Sequence, residues 1–367
     1  MKIAQVAPLY ESVPPKLYGG TERVISYLTE ELVKQGHDVT LFSSGDSKTE
    51  ARLIPCCETA LRLQGSRVFD PNIYHVKMQE VVLRRVSEFD VVHFHLDYLH
   101  LPLWYRNALS PFLTTLHGRL DIAELGLLFR EYPDAPFVSI SDAQRAPVSW
   151  LHWLGTVYHG LPADLLPFKP QPEGYLAVLG RICREKGIEP AIEVAVRTGK
   201  QLKIASKIDR KDRAYFKKRI EPLLSHPLIE FVGEIGEEEK KEFLGNAAAL
   251  LMLIDWPEPF GLAMIEALAC GTPVITRSCG SVPELLVNGK TAWITNTVAD
   301  AVEAVNNVHL LRRQDCRNEF ETRFTAERMA HDYVAVYERL LAEELSAAMA
   351  APAEVPPVSD LAREVRA

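Results

Sequence analysis

The sequence lacks the features that would tie the protein to a membrane or to nucleic acid. No apolar run in the 367 residues reaches the roughly 18 residues that a membrane-spanning helix needs. Residues 1–8 resemble a strand, without the long apolar region or small-residue cleavage site of a signal peptide. The formal net charge of −8 argues against general electrostatic binding of nucleic acid. We therefore expect a cytoplasmic protein with no transmembrane segment and no nucleic-acid partner, while peripheral contact with a membrane stays open.

Cysteine is sparse, and its spacing does not indicate a zinc site. The six cysteines are Cys56, Cys57, Cys183, Cys270, Cys279 and Cys316. Only the first two are adjacent, and no second pair lies near them to complete a set of metal ligands. A reducing cytosol is the simplest compartment for such a chain.

The sequence does contain a regular alternation of strand and helix patterns. Short apolar, β-branched runs alternate with helical periodicity, which predicts βαβ units and parallel sheets. In the first half, strands are expected at 2–7, 38–42, 90–95, 112–116, 136–140 and 156–158. In the second half, strands are expected at 175–179, 201–205, 228–232, 249–254, 273–276 and 292–294. Helices of the second half are expected at 188–198, 210–224, 237–246, 262–269 and 300–309.

A proline-rich break and a low-complexity tail divide the chain. Prolines concentrate in residues 160–172, which is typical of a linker. We expect two doubly wound α/β domains facing a central cleft, the first over 1–165 and the second over 166–325. The tail, 346–367, is rich in Ala, Pro, Val and Glu and has no clear core-forming pattern. Disorder is expected in this tail, and a partner-binding role stays open.

Residues 258–275 have the pattern of a turn, an Ala-rich helix and a strand. The N-terminus of such a helix presents unpaired N–H groups and a positive dipole end, which favour an anion such as phosphate. Gly261 allows the backbone to come close to a ligand. Glu258 and Glu266 lie eight residues apart and can accept hydrogen bonds from sugar hydroxyls. Each feature alone fits an ordinary cap or a solvated acid, but together they predict a site for a sugar attached to a nucleoside diphosphate.

A basic loop at residues 180–187 precedes this element along the chain. It follows an expected strand and precedes an expected helix, so it should lie at the carboxyl edge of the sheet. Arg181 offers a planar fork of donors and Lys186 offers a point charge, and both suit phosphate oxygens. A merely solvated loop would look the same in isolation. Beside the paired glutamates, we favour a phosphate site.

These motifs resemble the Glu-x7-Glu and Gly-Arg-x4-Lys-Gly motifs of nucleotide-sugar glycosyltransferases of the GT-B fold, in the retaining class called family four or group one. The turn at 280–286 extends the match, and the resemblance covers about residues 1–345. It implies two Rossmann-like domains around a central cleft. It also implies that a last helix, at 326–345, crosses back to the first domain.

The resemblance implies a role for each matching residue of the second domain. Arg181 and Lys186 match the residues that bind the donor phosphates. Glu266 matches the glutamate that binds the ribose hydroxyls, and Glu258 matches the one that contacts the donor sugar near its anomeric centre. The backbone N–H groups expected to face the phosphates belong to Phe260, Gly261 and Leu262.

Two further segments of the second domain resemble parts of the donor site. Gly233, Glu234 and Ile235 resemble the strand end whose backbone reads the nucleobase. Ser206 stands where the family often has a glycine, and Lys207 is expected to supply charge there instead.

In the first domain, the resemblance points to a glycine loop and a histidine. Gly19 and Gly20 join the first strand to the first helix. They resemble the family's N-terminal glycine loop, which meets the diphosphate and the acceptor when the domains close. His117 ends another expected strand and matches the histidine that contacts the donor sugar.

A histidine-rich segment at residues 93–100 allows two interpretations. Its spacing alone permits metal ligation. Strand alternation places His93 and His95 on one face, whereas Asp97 and His100 fall in the following loop. We therefore favour contact of Asp97 or His95 with the acceptor and expect no metal site.

We expect a retaining, metal-independent hexosyltransferase that uses a nucleoside diphosphate sugar, with UDP-glucose as the default donor. The sequence has no Asp-x-Asp to hold a metal–diphosphate complex, and no cofactor beyond the donor substrate is expected. A saccharide, a lipid-linked molecule and a small molecule stay open as the acceptor. Two other functions also stay open, namely a nucleotide-sugar epimerase of similar fold and a non-catalytic sugar-nucleotide-binding protein.

Overall fold

Two parallel β-sheets form the framework of the protein. The computed structural model describes residues 1–16, 19–105 and 110–350. The first sheet contains β1 (Lys2–Val6), β2 (Asp38–Ser44), β3 (Arg52–Cys57), β4 (Val91–Phe94), β5 (Phe112–Thr115), β6 (Phe137–Ser139) and β7 (Trp153–Thr156). The second contains β8 (Tyr175–Arg181), β9 (Leu202–Lys207), β10 (Ile229–Gly233), β11 (Ala247–Met252), β12 (Val274–Arg277) and β13 (Ala292–Thr295).

Helices connect the strands in both halves. In the first half they are α1 (Gly20–Lys34), α2 (Pro71–Leu83), α3 (Leu101–Trp104), α4 (Ala123–Phe129) and α5 (Asp142–Arg145). In the second half they are α6 (Ile188–Thr198), α7 (Arg213–Tyr215), α8 (Glu237–Gly245), α9 (Leu262–Ala269), α10 (Val282–Leu285), α11 (Val298–Asn306), α12 (Arg313–Arg323) and α13 (Ala326–Ala350). Within the described ranges, no helix combines the length and the apolar character that a membrane crossing requires.

Both sheets are doubly wound. The first sheet has the strand order β3-β2-β1-β4-β5-β6-β7, and the second has the order β10-β9-β8-β11-β12-β13. In the first sheet the strand order runs outward from β1 to β3 on one side and from β4 to β7 on the other, so it reverses between β1 and β4. In the second sheet it reverses between β8 and β11. Ligands bind such sheets at the carboxyl ends of the strands. The predicted pair of doubly wound α/β domains is confirmed. Their predicted boundary at residue 165 falls between β7 and β8 and stays a prediction.

Two strands of the first sheet differ from the sequence-based expectation. The sequence pattern gives no sign of β3, because Pro55 interrupts it. The structure places β3 at the edge of the sheet, where a residue without an N–H is tolerated. The last strand lies at Trp153–Thr156 rather than at 156–158.

The helix expected at 210–224 is broken into short turns. A 3-10 turn covers Arg210–Asp212, a π-turn covers Phe216–Ile220 and a second 3-10 turn covers Glu221–Ser225. Pro222 lies within the expected helix. It removes a backbone donor and clashes with the carbonyl one turn earlier, so a regular helix does not pass through it.

The last helix, α13, begins at Ala326 as predicted and continues to Ala350. Residues 346–350 are therefore helical, which corrects the expectation that disorder begins at residue 346. The rest of that tail, 351–367, lies outside the described residues.

Helix α13 packs against the first domain. Its Tyr337 hydroxyl accepts a hydrogen bond from the Gln5 amide on β1 at 3.0 Å. Its Tyr333 hydroxyl lies 2.9 Å from the Thr115 hydroxyl on β5. Since the chain reaches α13 from the second domain, this helix crosses back as the resemblance implied.

Candidate active site

A cavity of about 680 Å³ lies between the two domains. Its wall includes all but one of the predicted site residues, namely Gly19, Gly20, His117, Arg181, Lys186, Lys207, Glu234, Ile235, Glu258, Phe260, Gly261, Leu262 and Glu266. Gly233, the last residue of β10, does not line it, although the two residues that follow do. The structure therefore brings the predicted residues together in one cleft, while their individual roles stay predictions.

The turn before α9 is held in place from both domains. The Ser281 hydroxyl donates to the Phe260 carbonyl at 2.7 Å. From the first domain, the Ser141 hydroxyl donates to the Pro259 carbonyl at 2.6 Å. Gly261 has a φ of +88°, and a Cβ there would lie 2.5 Å from the Met264 methyl. This turn fixes the start of α9 at the cavity wall, where the helix dipole favours an anion.

Glu258 and Lys186 form an ion pair at this wall. The Lys186 ammonium lies 2.5 Å from Glu258 Oε2, and the Trp256 indole N–H donates to the same oxygen at 2.9 Å. The ammonium also lies 4.9 Å from the centre of the Trp256 ring. The residue matched to the donor phosphates and the residue matched to the donor sugar are therefore neighbours.

Arg181 and Lys207 lie side by side at the ends of β8 and β9. The two residues are partners in the strand register. Arg181 Nη1 lies 3.4 Å from carboxylate oxygens of Asp209 and Asp212, and Lys207 Nζ lies 3.6 Å from Asp209. An incoming phosphate would compete with these carboxylates for the two cations.

Glu266 has a partner that the sequence did not reveal. Its carboxylate is buried at 3 % exposure and lies 2.6 Å from the Lys240 ammonium. Lys240 is on α8 and also lines the cavity. It lies within the charged run 237–242, which resembles a solvated helix face. The only sequence signal was its position just after the predicted nucleobase segment.

The first-domain wall meets the second domain at the glycine loop. A Cβ at Gly20 would lie 3.3 Å from the Leu262 side chain, so the loop lies close to the start of α9. Arg23, one turn further along α1, forms an ion pair with Glu237 on α8 across the cleft. Sequence reasoning missed Arg23, because its partner comes from the other domain.

His117 contributes a neutral imidazole to the cavity. Its Nε2 lies 2.9 Å from His95 Nδ1, and its ring stacks on that of His159 at 5.3 Å between centroids. Burial lowers the pKa of His117 to about 3, so the ring is uncharged at neutral pH. Among the described residues, its Nδ1 has no hydrogen-bond partner.

The histidine-rich segment 93–100 contributes to both the cavity wall and the core. The rings of His93 and His95 lie on one side of the strand with centroids 4.0 Å apart, as predicted. Asp97 lines the cavity with a φ of +53°, a conformation that non-glycine residues rarely adopt. His100 instead donates to or accepts from the buried Thr114 hydroxyl at 2.7 Å. In the part of the chain that the structure describes, no three His, Cys, Asp or Glu side chains form a metal-binding group.

Glu284 on α10 links the two domains beside the cavity. Its carboxylate accepts hydrogen bonds from the backbone N–H groups of Asp142 and Ala143 at 2.8 and 2.6 Å. It also accepts one from the Tyr158 hydroxyl at 3.2 Å. This glutamate belongs to the 280–286 turn of the sequence match, and in the structure it binds first-domain groups.

Two family models match this chain. Residues 18–154 match Glycosyltransferase Family 4, and residues 167–324 match Glycosyl transferases group 1. The first match covers most of the first sheet and the second covers all of the second sheet. The chain belongs to the group 1 glycosyltransferases and has the GT-B fold.

Similar proteins include a glycogen synthase and a sucrose-phosphate synthase. A glycogen synthase of Mycobacterium tuberculosis is 26% identical, with 84% of this chain and 86% of the relative covered. A sucrose-phosphate synthase structure from Thermosynechococcus elongatus has a TM-score of 0.77 at 17% identity, covering 93% of this chain and 99% of that one. Anabaena HepE, solved in complex with UDP and glucose, has a TM-score of 0.69 at 15% identity, covering 94% and 99%. The two structural likenesses establish the fold alone.

Proposed function

We propose that this glycosyltransferase moves a hexose from a nucleoside diphosphate sugar to an acceptor hydroxyl, with retention of anomeric configuration and without a metal ion. UDP-glucose is the proposed donor. The observation that carries the proposal is the convergence of Arg181, Lys186, Glu258 and Glu266 with the start of α9 on one interdomain cavity. The UDP and glucose bound to the structurally similar HepE support the choice of donor.

The leaving diphosphate is stabilised by fixed positive charge in this mechanism. Arg181 and Lys207 bind phosphate oxygens from one sheet edge, and Lys186 binds them from the loop beside Glu258. The N–H groups at the start of α9 add the positive end of a helix dipole. Such preorganised groups stabilise developing charge without reorganisation during the reaction.

Retention is proposed to result from attack on the same face that the diphosphate leaves. The bond between the anomeric carbon and the phosphate oxygen breaks, the bond to the acceptor oxygen forms, and the acceptor's proton passes to the departing phosphate. In this route Glu258 contacts the reacting sugar, and its Oε2 is held by Lys186 and Trp256.

Thermal stabilisation by UDP-, GDP- and ADP-sugars is the first test, because a ligand that binds only the folded state raises the melting temperature. Products from the stabilising donor, labelled at the anomeric carbon, are then identified by NMR. We expect an α-linked glycoside and free nucleoside diphosphate from an α-linked donor. An epimerised sugar without transfer would favour the epimerase, and an unchanged donor with every acceptor class would favour the non-catalytic binder.

A further inference from the structure

A continuous chain of hydrogen bonds runs from the cavity wall to the crossing helix α13. Its members come from β1, β4, β5, α13 and the loops that follow β4 and β5, and all but the half-buried His117 are buried. From the cavity to Gln5, His117 Nε2 lies 2.9 Å from His95 Nδ1, and His95 Nε2 lies 2.8 Å from Gln5 Oε1. Gln5 Nε2 then lies 3.0 Å from Tyr337 Oη, which lies 2.8 Å from His93 Nδ1. His93 Nε2 lies 2.7 Å from Thr115 Oγ1, which lies 2.9 Å from Tyr333 Oη. The predicted donor-site residue His117 is therefore connected through hydrogen bonds to Tyr333 on α13.

The histidines of this chain each carry one ring proton. Burial lowers the pKa of His93 and His95 well below the ordinary value, and neighbouring histidines lower it further. A neutral imidazole has one N–H donor and one bare nitrogen that accepts. If one nitrogen of such a ring donates, the other must accept, so the direction of one hydrogen bond determines the direction of the next.

Gln5 determines the direction of the hydrogen bonds that lead from it to the cavity. Its amide oxygen faces His95 and can only accept, so His95 carries its proton on Nε2 and has a bare Nδ1. The neighbouring Nε2 of His117 must then be the donor. Because His117 is neutral, its remaining nitrogen, Nδ1, carries no proton.

On the other side of Gln5, the amide nitrogen donates to the Tyr337 hydroxyl. That hydroxyl lies 2.8 Å from Nδ1 of His93, and Nε2 of His93 lies 2.7 Å from the Thr115 hydroxyl. A hydroxyl can both donate and accept, so Gln5 fixes the hydrogen-bond direction only on the side that leads to His117.

We propose that Gln5 is a positioning residue that keeps the proton of His117 on Nε2 and so presents Nδ1 as a hydrogen-bond acceptor to a hydroxyl of the donor hexose. The part concerning the hexose rests on the proposed function. Nδ1 of His117 is buried and has no hydrogen-bond partner among the described residues, and His117 lines the cavity, so a hexose hydroxyl at this wall would supply the partner that Nδ1 lacks. A site that only accepts selects a group that can donate, as a hydroxyl does and a fluorine does not.

The tautomer of His117 can be observed directly in the full-length protein without any substrate. Long-range ¹H–¹⁵N correlation spectra of histidine-labelled protein at pH 7.5 separate the two tautomers, and loss of a signal in His117→Gln assigns it. We expect the Nε2–H form alone. The Nδ1–H form would mean that the Gln5 amide is turned over and would overturn the proposal.

Gln5→Met removes the amide that fixes the direction of the hydrogen bonds leading to His117, and Thr115→Val is its matched control. Thr115 lies in the same buried chain, so its loss costs comparable stability, but it lies on the far side of Gln5 from His117. We expect both tautomers of His117 in Gln5→Met and the Nε2–H form alone in Thr115→Val. A single Nε2–H form in Gln5→Met would show that Gln5 does not fix the proton.

Binding measurements then test the consequence for the hexose. Loss of one well-formed hydrogen bond lowers affinity roughly tenfold. We expect Gln5→Met to weaken UDP-glucose about tenfold while the affinity for UDP, which lacks the hexose, is unchanged. Equal weakening of both ligands would overturn the positioning role. If the unmodified protein binds no sugar nucleotide, the proposed function fails, and the NMR result still decides the tautomer.

Discussion

At the scale of single residues, the cations of the cleft are held by carboxylates. Lys186 is paired with Glu258, Lys240 with Glu266 and Arg181 with two aspartates. Each partner offsets the free-energy cost of removing a buried or half-buried charge from water. It also holds each side chain in position before a ligand enters, so substitution of one partner should disturb the other.

Lys240→Met is expected to weaken UDP binding at least tenfold. The substitution leaves the buried Glu266 carboxylate without its charged partner at 2.6 Å, and a hydrogen bond between charged groups contributes about 1.5–3 kcal/mol. Lys241→Met is the matched control, because Lys241 pairs with the exposed Glu238 on the same helix and does not line the cavity. Isothermal titration calorimetry compares the two variants. Equal affinities would remove Lys240 from the nucleotide site.

Arg181→Ala is expected to lower kcat/KM by roughly ten- to a hundredfold, because it removes the charge-assisted contact that we propose to the leaving diphosphate. Arg184→Ala is the control, since Arg184 belongs to the same loop but is exposed. Steady-state kinetics of the folded variants gives the comparison. Unchanged kinetics in Arg181→Ala would place this loop outside the active site.

Glu266→Gln and Glu258→Gln are expected to affect different steps. The first should raise the dissociation constant for UDP, because its carboxylate is assigned to the ribose. The second should mainly lower kcat, because its carboxylate is assigned to the reacting sugar. Calorimetry with UDP and turnover with the sugar nucleotide measure the two effects. Weaker UDP binding in Glu258→Gln than in Glu266→Gln would reverse the assignment.

At the scale of elements, sequence patterns predicted regular segments well and irregular ones poorly. Helices α6 and α9 occupy the predicted residues, because glycines mark their starts and the apolar period is clear. Strand β3 escaped prediction, because Pro55 is tolerated only at a sheet edge, which is a tertiary property.

Sequence motifs also predicted some residues of the candidate site and missed others. Motif residues such as Arg181 and Glu258 were predictable, because the chemistry of phosphates and sugars restricts their type and spacing. Lys240 and Arg23 were not, since each lies on a helix and meets its partner only after the chain folds. Gln5 and Tyr337 are 332 positions apart, and no local pattern pairs them.

The buried histidines around β4 should make the protein sensitive to mild acid. Burial lowers the pKa of His100 and His117 to about 3, and it also lowers the pKa of His93, His95 and His159. Below pH 6.5 the unfolded chain protonates these rings while the folded protein does not. The free energy of unfolding should therefore fall with pH from about 6.5 towards 3, by about 1.4 kcal/mol per pH unit for each histidine.

Urea denaturation at pH 7, 6 and 5 measures this loss. His100→Asn should make the free energy of unfolding less dependent on pH, by the contribution of about one bound proton, since His100 is fully buried. His309→Asn, an exposed position, is the control. A free energy of unfolding that stays constant from pH 7 to pH 5 would contradict the neutrality of the buried histidines.

At the scale of the whole molecule, activity is expected to survive chelation. In the proposed mechanism, Arg181, Lys186 and Lys207 with the start of α9 supply the positive charge that the leaving group needs, and the sequence has no Asp-x-Asp. Assays with excess EDTA, followed by addition of Mg²⁺ or Mn²⁺, measure this. Complete loss with EDTA and full recovery with Mn²⁺ would show that the charge of a metal ion is required. The histidine-rich segment 93–100 would then be the first candidate for its ligands.

The position of α13 also bears on how the protein is synthesised. Tyr333 and Tyr337 fill the core of the first domain, yet they leave the ribosome after the whole second domain. Gln5, His93 and Thr115 of the first domain therefore lack these partners until helix α13 has been translated. Domains often fold one after another from the N-terminus. Here, by contrast, the first domain is completed by a helix that follows the second domain in the sequence, and a nascent chain stopped before residue 326 would carry an unfinished first domain.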